Sequence, residues 1–217
     1  MQNDPAVFYK LDEMNNLIGV FGCHVDDFLH AGNSEFERTV MSKIKERFQA
    51  GKIETMEFKY VGFSVQQKDD SITVNHKEYL ENIENVLVDP QRFTEKHKDL
   101  IDDEQTSFRQ LIGRLNWAVQ GSRPDLAFDL IDLSTKLSKA KVSDLIRATK
   151  CISRLKEGPF TVKYPSLGPV NRWQIVVFTD AALGNLENSG SVGSNICFLV
   201  GSNGNACPLT YACLLVR

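Results

Sequence analysis

The chain has 217 residues, of which 42% are hydrophobic and 24% charged, and a formal net charge of −3. That composition is ordinary for a folded chain and sufficient for one large domain or two small ones. No run of about 18 apolar residues occurs, which argues against a transmembrane helix, and the opening MQNDPAVFYK lacks the basic-then-apolar pattern of a secretory leader. The five cysteines are an odd number without a C-x-x-C pair. They argue for reduced thiols in a cytoplasmic or nuclear compartment and against a structural zinc site. Charge is uneven: from Thr106 to Glu157 ten basic residues face five acidic ones. A local positive excess suits either a phosphate backbone or a solvated helical face.

In chain order, residues 6–11 and 17–31 read as strands, the second broken at Asp26–Asp27 as a tight hairpin requires. Ser34 reads as the N-cap of a helix whose apolar positions are Phe36, Val40, Met41, Ile44 and Phe48. Residues 58–66 and 71–75 flank Lys68–Asp70 as a second hairpin, and 76–87 read as a short helix. Residues 89–104 are polar and contain Pro90, the pattern of a linker or a poorly packed connection. Helical spacing returns at 106–120, after Arg123–Pro124, where proline suits a first turn, and at 142–156. Gly158–Pro159 ends that block. Four strand-like segments follow: FTVKY, WQIVVFTDA, GSNICFLVG and CPLTYACLLV. The order predicts an α+β fold with a boundary near Gly158 to Pro169.

Asp26–Asp27 is the most informative feature. Desolvated neighbouring carboxylates repel each other and persist in a packed site mainly when a cation neutralises them. Hard divalent ions such as Mg²⁺ favour carboxylate oxygens and leave room for substrate phosphates. The plainer alternative is an Asp-Asp turn exposed to water. Arg109, Gly113 and Trp117 fall at i, i+4 and i+8, on one helical face. Glycine inside a helix costs about 1 kcal/mol relative to alanine, which implies a close approach there by another helix or by a duplex backbone. Gly62, within a strand-like run, reads as a bulge or as a point of close backbone approach. Asp180 follows an apolar strand, as a turn residue or as a ligand. Arg123 and Asp125 read as a cap and local ion pair at a helix start.

Several blocks resemble one family in its own order. CHVDDFLHAGN resembles the Y-x-D-D hairpin of reverse transcriptases, with flanks similar to the copia group of retrotransposons; His24 stands where the family usually has tyrosine. FKYVGFSVQQKDDSITVNHKEYLENI resembles the hairpin that positions the primer end and the helix after it. FRQLIGRLNWAVQ is similar to the first thumb helix, GSRPDLAFDLIDLSTKL to the segment with an R-P-D triplet, and RATKCISRLKEG to the basic segment before ribonuclease H. WQIVVFTDAALGNLENSGSVGSNICFLVG resembles the first strands of a copia-type ribonuclease H domain.

The resemblance implies a partial palm over 1–88, a helical thumb and connection over 89–158, and a truncated ribonuclease H-like sheet over 170–217. It implies Asp26, Asp27 and Asp180 as catalytic, metal-binding carboxylates for Mg²⁺ or Mn²⁺. Gly62, Arg109, Gly113 and Trp117 are implied to contact nucleic acid. The complete family enzyme is an RNA-directed DNA polymerase with two-metal nucleotidyl transfer, acting on a template–primer duplex and dNTP, with no membrane partner. An upstream palm aspartate and the later ribonuclease H carboxylates of the family have no counterpart here. The expectation is therefore that the ribonuclease H portion is inactive by itself and that primer extension requires the N-terminal part of the polyprotein. A degenerate, non-catalytic fragment that at most binds nucleic acid is the alternative.

Overall fold

The computed structural model describes residues 4–49, 51–157, 161–184 and 190–216. Helices and antiparallel sheets both contribute, so the fold is α+β as the sequence predicts. Contacts divide the chain into two compact units, Met1–Val65 and Gln66–Arg217. The expected boundaries at 88, 158 and 170 follow the motif order of the resemblance, not this division by contacts.

In the first unit, β1 (Val7–Leu11), β2 (Leu17–His24) and β3 (Asp27–Gly32) form an antiparallel sheet with β2 central. The helix that follows starts one residue earlier than expected. Asn33 is its N-cap, its side-chain oxygen accepting the Phe36 N–H at 3.0 Å, because an Asx side chain reaches an orphan amide as well as serine does. Helix α1 (Ser34–Phe36) passes through a π turn, Glu37–Met41, into α2 (Ser42–Phe48). Gly19 and Gly32 are cross-strand partners, and a Cβ on either would overlap the Phe36 ring. Phe36 is 1% exposed; burying such a ring contributes about 2–3 kcal/mol. Ile18, Phe21 and Met41 complete this core. Rings of Phe8, Phe21, Phe28 and Phe48 continue it in a row, with successive centroids 6.1, 5.0 and 6.0 Å apart.

The strand expected over 58–66 is two strands, β4 (Glu57–Tyr60) and β5 (Phe63–Gln67). Val61 and Gly62 join them with φ of +49° and +79°, the positive pair that a two-residue type I′ hairpin turn demands. Gly62 thus sits at a turn, not in a strand, and nothing lies within 4 Å of where its Cβ would be.

In the second unit, the Lys68 N–H donates to the Ser71 carbonyl at 2.8 Å and closes the expected turn into β6 (Ser71–Asn75). Helix α3 spans only Lys77–Asn82. Its Leu80, with Ile83 just beyond, packs into the same core as the later helices. Residues 89–104 are not a loose linker. Asp89 caps a 3-10 turn, Pro90–Thr94. The Arg92 guanidinium binds Glu104 through two bonds of 2.8 Å, Glu95 at 2.5 Å and the Asp99 carbonyl at 3.0 Å. Polar composition here reflects groups that satisfy one another.

Helix α4 (Asp102–Gly121) begins four residues before the expected start, with the Glu104 carboxylate accepting the Ile101 N–H at 3.1 Å. A 3-10 turn, Pro124–Leu126, leads into α5 (Ala127–Thr135), and α6 (Val142–Lys156) follows as predicted. Phe108, Leu111 and Leu115 from α4, Leu130 and Leu133 from α5, and Leu145, Ile152 and Leu155 from α6 form one core. Strand β7 (Thr161–Pro165) pairs antiparallel with β6, from Ser71–Pro165 to Asn75–Thr161. It therefore does not open the C-terminal sheet, as its position after the expected boundary suggested. Gly158 and Pro159 lie outside the described residues.

That sheet is an antiparallel meander of β8 (Gln174–Ala182), β9 (Ser191–Val200) and β10 (Ala206–Val216), with β9 central. The Tyr211 hydroxyl on β10 donates to the Val119 carbonyl of α4. The β9–β10 turn docks where Asn203 and Asn205 side chains donate to the Ser166 carbonyl at 2.9 and 2.8 Å. Gly201 is required there, because its Cβ would overlap the Leu167 carbonyl. No described helix is long and apolar enough to cross a membrane.

Gly32→Ala is expected to destabilise the chain by about 2 kcal/mol through overpacking against Phe36, read as a lowered urea midpoint. Adding Phe36→Leu should recover part of that loss; no recovery would place the strain elsewhere.

Candidate functional site

The β2–β3 hairpin turns on two residues, Val25 and Asp26, so the break falls one residue before the expected Asp26–Asp27. Asp27 opens β3 as the cross-strand partner of His24, while Cys23 pairs with Phe28. Because faces alternate along a strand, Asp27 and His24 share the face opposite the one that Cys23 and Phe28 occupy. The Cys23 thiol donates to the Val25 carbonyl at 3.7 Å. Val25 holds φ +57° while 86% exposed. A β-branched residue in that region is strained by about 1–3 kcal/mol, and exposure rules out burial of Val25 as the compensation. Strain of this kind at an exposed hairpin tip points to function.

Asp26 and Asp27 are both exposed, which corrects the sequence-based argument from desolvation: water screens their repulsion to about 1 kcal/mol at 4 Å. Tyr60, from β4, is a neighbour that sequence reading missed. Its phenol is pushed above its ordinary value first by burial, then by the Asp27 carboxylate and Cys23. Among the described residues no three His, Cys, Asp or Glu side chains gather closely enough to hold an ion. Two successive carboxylates supply oxygen donors of the kind that a hard divalent cation takes beside waters and phosphate oxygens.

Helix α4 buries Phe108, Leu111, Ile112, Leu115, Ala118 and Val119 and turns Arg109, Gly113 and Trp117 outward. Gly113 has open space where a Cβ would be, so packing of another helix of this unit against it, the rival explanation for a mid-helix glycine, does not hold. Arg109 makes no ion pair with any described residue. Trp117 is 40% exposed, and its ring stands 5.6 Å from that of His76, tilted by 53°.

The local positive excess is smaller than the sequence count implies. Arg114 pairs with Glu84 at 3.2 Å, Arg147 and Arg154 with Asp129 at 2.6 and 3.0 Å, and Lys136 with Asp144 at 3.3 Å. Arg123, 8% exposed, grips Asp125 through bonds of 2.9 and 2.8 Å and donates to the Arg154 and Leu155 carbonyls at 3.0 Å each. The ion pair expected of it is present, but its side chain does not cap the helix start that follows it; it closes the end of α6 instead. Sequence distance hides these pairings, so a count of charges overstates what is available to phosphate.

Asp180, on β8 opposite Ser194, is exposed, and one of its oxygens accepts the Ala181 N–H at 2.9 Å. It lines a depression of about 460 Å³ with Asp125, Phe128, Phe178 and Tyr211. Asp125 is held below the usual carboxylate range, first by its hydrogen bonds from Arg123. No protein-family model and no curated protein matches this chain.

His76, fully buried, has its imidazole pushed below its ordinary value by burial. The unfolded chain therefore binds more protons between the folded value and about pH 6.5, and stability should fall as pH drops from about 7 through that window. The slope contributed cannot exceed about 1.4 kcal/mol per pH unit. Urea unfolding across pH 5–8 should show this slope in the parent chain and a flatter one in His76→Phe; equal slopes would contradict the assignment.

Proposed function

We propose that the chain carries the carboxylate hairpin and thumb-like helices of a copia-type retrotransposon RNA-directed DNA polymerase, with the opening strands of a ribonuclease H-like domain. The observation that carries this reading is the two-residue turn at Val25–Asp26, where an exposed valine with positive φ sits beside two successive carboxylates. A second β-branched residue with positive φ, Val61, lies on the hairpin whose sequence resembles the one that positions a primer end.

On this reading Asp26 and Asp27 hold Mg²⁺ or Mn²⁺ in the complete enzyme. Such ions, when bound, activate a primer hydroxyl and stabilise the leaving phosphate of a dNTP. Arg109 contacts a backbone phosphate, Trp117 offers a flat apolar surface, and the bare helix at Gly113 lets a strand of the template–primer duplex approach. Gly62, at its exposed turn, is suited to a similar approach because no side chain stands in the way. Asp180 is the first carboxylate of the ribonuclease H-like sheet, a role supported by its place on the first strand of an antiparallel meander. Reduced thiols fit a cytoplasmic or nuclear setting.

A non-catalytic nucleic-acid-binding module is a second reading, favoured by the outward α4 face, which needs no metal to bind a duplex. Both readings require that face, and salt-dependent binding to an RNA–DNA duplex tests it. Arg109→Gln should reduce the salt slope by about one. Trp117→Ala should weaken binding about tenfold and leave the slope unchanged. Indifference to both substitutions would remove α4 from the account.

A further inference from the structure

We infer that His24 is a further ligand of the divalent ion at the hairpin tip, and that its imidazole biases the site toward Mn²⁺ over Mg²⁺. The inference rests on the proposed reading of Asp26 and Asp27 as metal-binding carboxylates.

Backbone pairing places His24. It closes β2, Asp27 opens β3, and the two are cross-strand partners on either side of the two-residue turn. Directly opposed residues carry their Cβ atoms about 5 Å apart on one face of a sheet, a span that an imidazole nitrogen and a carboxylate oxygen can close on one ion. The adjoining residues, Cys23 and Phe28, are themselves partners and pack against the Phe36 core. The backbone beneath His24 and Asp27 is therefore anchored, while both residues stay exposed. Among the described residues none hydrogen-bonds to or forms an ion pair with the His24 side chain. By contrast, the His30 imidazole bonds to Glu37 at 2.8 Å, and His76 is fully buried. No three donor side chains already gather around one point, but His24, Asp26 and Asp27 are all exposed and free to turn onto an ion.

The donor atom decides which ion gains. Mg²⁺ takes oxygen ligands, demands near-ideal octahedral geometry and dehydrates reluctantly. Imidazole nitrogen suits transition ions better, and Mn²⁺ is the transition ion of the two. Asp26 and Asp27 alone offer only oxygens, which serve both ions. A nitrogen from the same sheet face as Asp27 adds affinity for Mn²⁺ and little for Mg²⁺.

Titration of the full chain tests this. Loss of the free-ion EPR signal reads Mn²⁺ affinity, and competition against Mn²⁺ reads Mg²⁺ affinity. His24→Phe keeps a flat ring and removes both nitrogens. It should weaken Mn²⁺ binding about tenfold and leave Mg²⁺ binding within about twofold of the parent. Pulsed EPR of bound Mn²⁺ should show a directly bonded nitrogen in the parent that is lost in His24→Phe. No bonded nitrogen in the parent, or equal losses for the two ions, would overturn the inference. Mn²⁺ binding that survives His24→Phe unchanged but falls in Asp27→Asn would overturn it and leave the carboxylate reading intact. Mn²⁺ binding indifferent to both Asp26→Asn and Asp27→Asn would overturn that reading and the inference together. Should His24→Phe fail to fold, His24→Gln takes its place: loss of the nitrogen signal supports the inference, and its persistence overturns it.

Discussion

The hairpin that presents Asp26 and Asp27 depends on one packing constraint: the Phe36 ring fills the space left by two absent Cβ atoms, at Gly19 and Gly32. A slip of one residue in the β2–β3 register would send every side chain to the opposite face. It would also part the two glycines and leave the ring without a floor. The register that seats Phe36 is the register that opposes His24 to Asp27 and leaves only Val25 and Asp26 for the turn. Packing at the far end of the same hairpin thus helps set which two residues occupy the turn. That link runs from a glycine pair in the sequence to the geometry of two carboxylates.

In the second unit the controlling effect is electrostatic accounting. Asp125, Asp129 and Asp144 take up Arg123, Arg147, Arg154 and Lys136 within the helical block. The Arg123 guanidinium does two jobs, holding Asp125 and closing the last turn of α6. What remains for an outside phosphate is a narrower set, with Arg109 on the same helix face as Gly113 and Trp117. An exposed glycine in the middle of a 20-residue helix loses about 1 kcal/mol of helix propensity, with no internal packing to offset it. On the proposed reading, close approach by an external backbone would give that cost a purpose.

Much of the architecture was legible because it follows from local chemistry. Apolar periodicity located α4 and α6, Pro124 marked a first turn, and the Lys68–Asp70 turn separated two strands where expected. The misreadings came from interactions between residues far apart in sequence or from backbone geometry that residue type conceals. Residues 89–104 looked loose because their charges are complementary only once Arg92 meets Glu104. Strand β7 looked like the start of a new sheet because nothing in its residues shows that its partner is β6. Val61–Gly62 hid inside a β-prone run because valine rarely accepts positive φ. At the candidate site, the shared outward face of Arg109, Gly113 and Trp117 followed from helical spacing, whereas the exposure of Asp26 and Asp27, the influence of Asp27 on Tyr60 and the nearness of His76 to Trp117 did not, since they depend on residues from different elements.

The central claim is that Asp26 and Asp27 jointly hold a divalent cation at the hairpin tip. Paramagnetic broadening of backbone amide signals during titration with Mn²⁺ tests it most directly. The account predicts that the amides of Val25, Asp26 and Asp27 broaden first, and that Asp26→Asn and Asp27→Asn each abolish this response. Broadening centred elsewhere, or a hairpin response that survives either substitution, would contradict it.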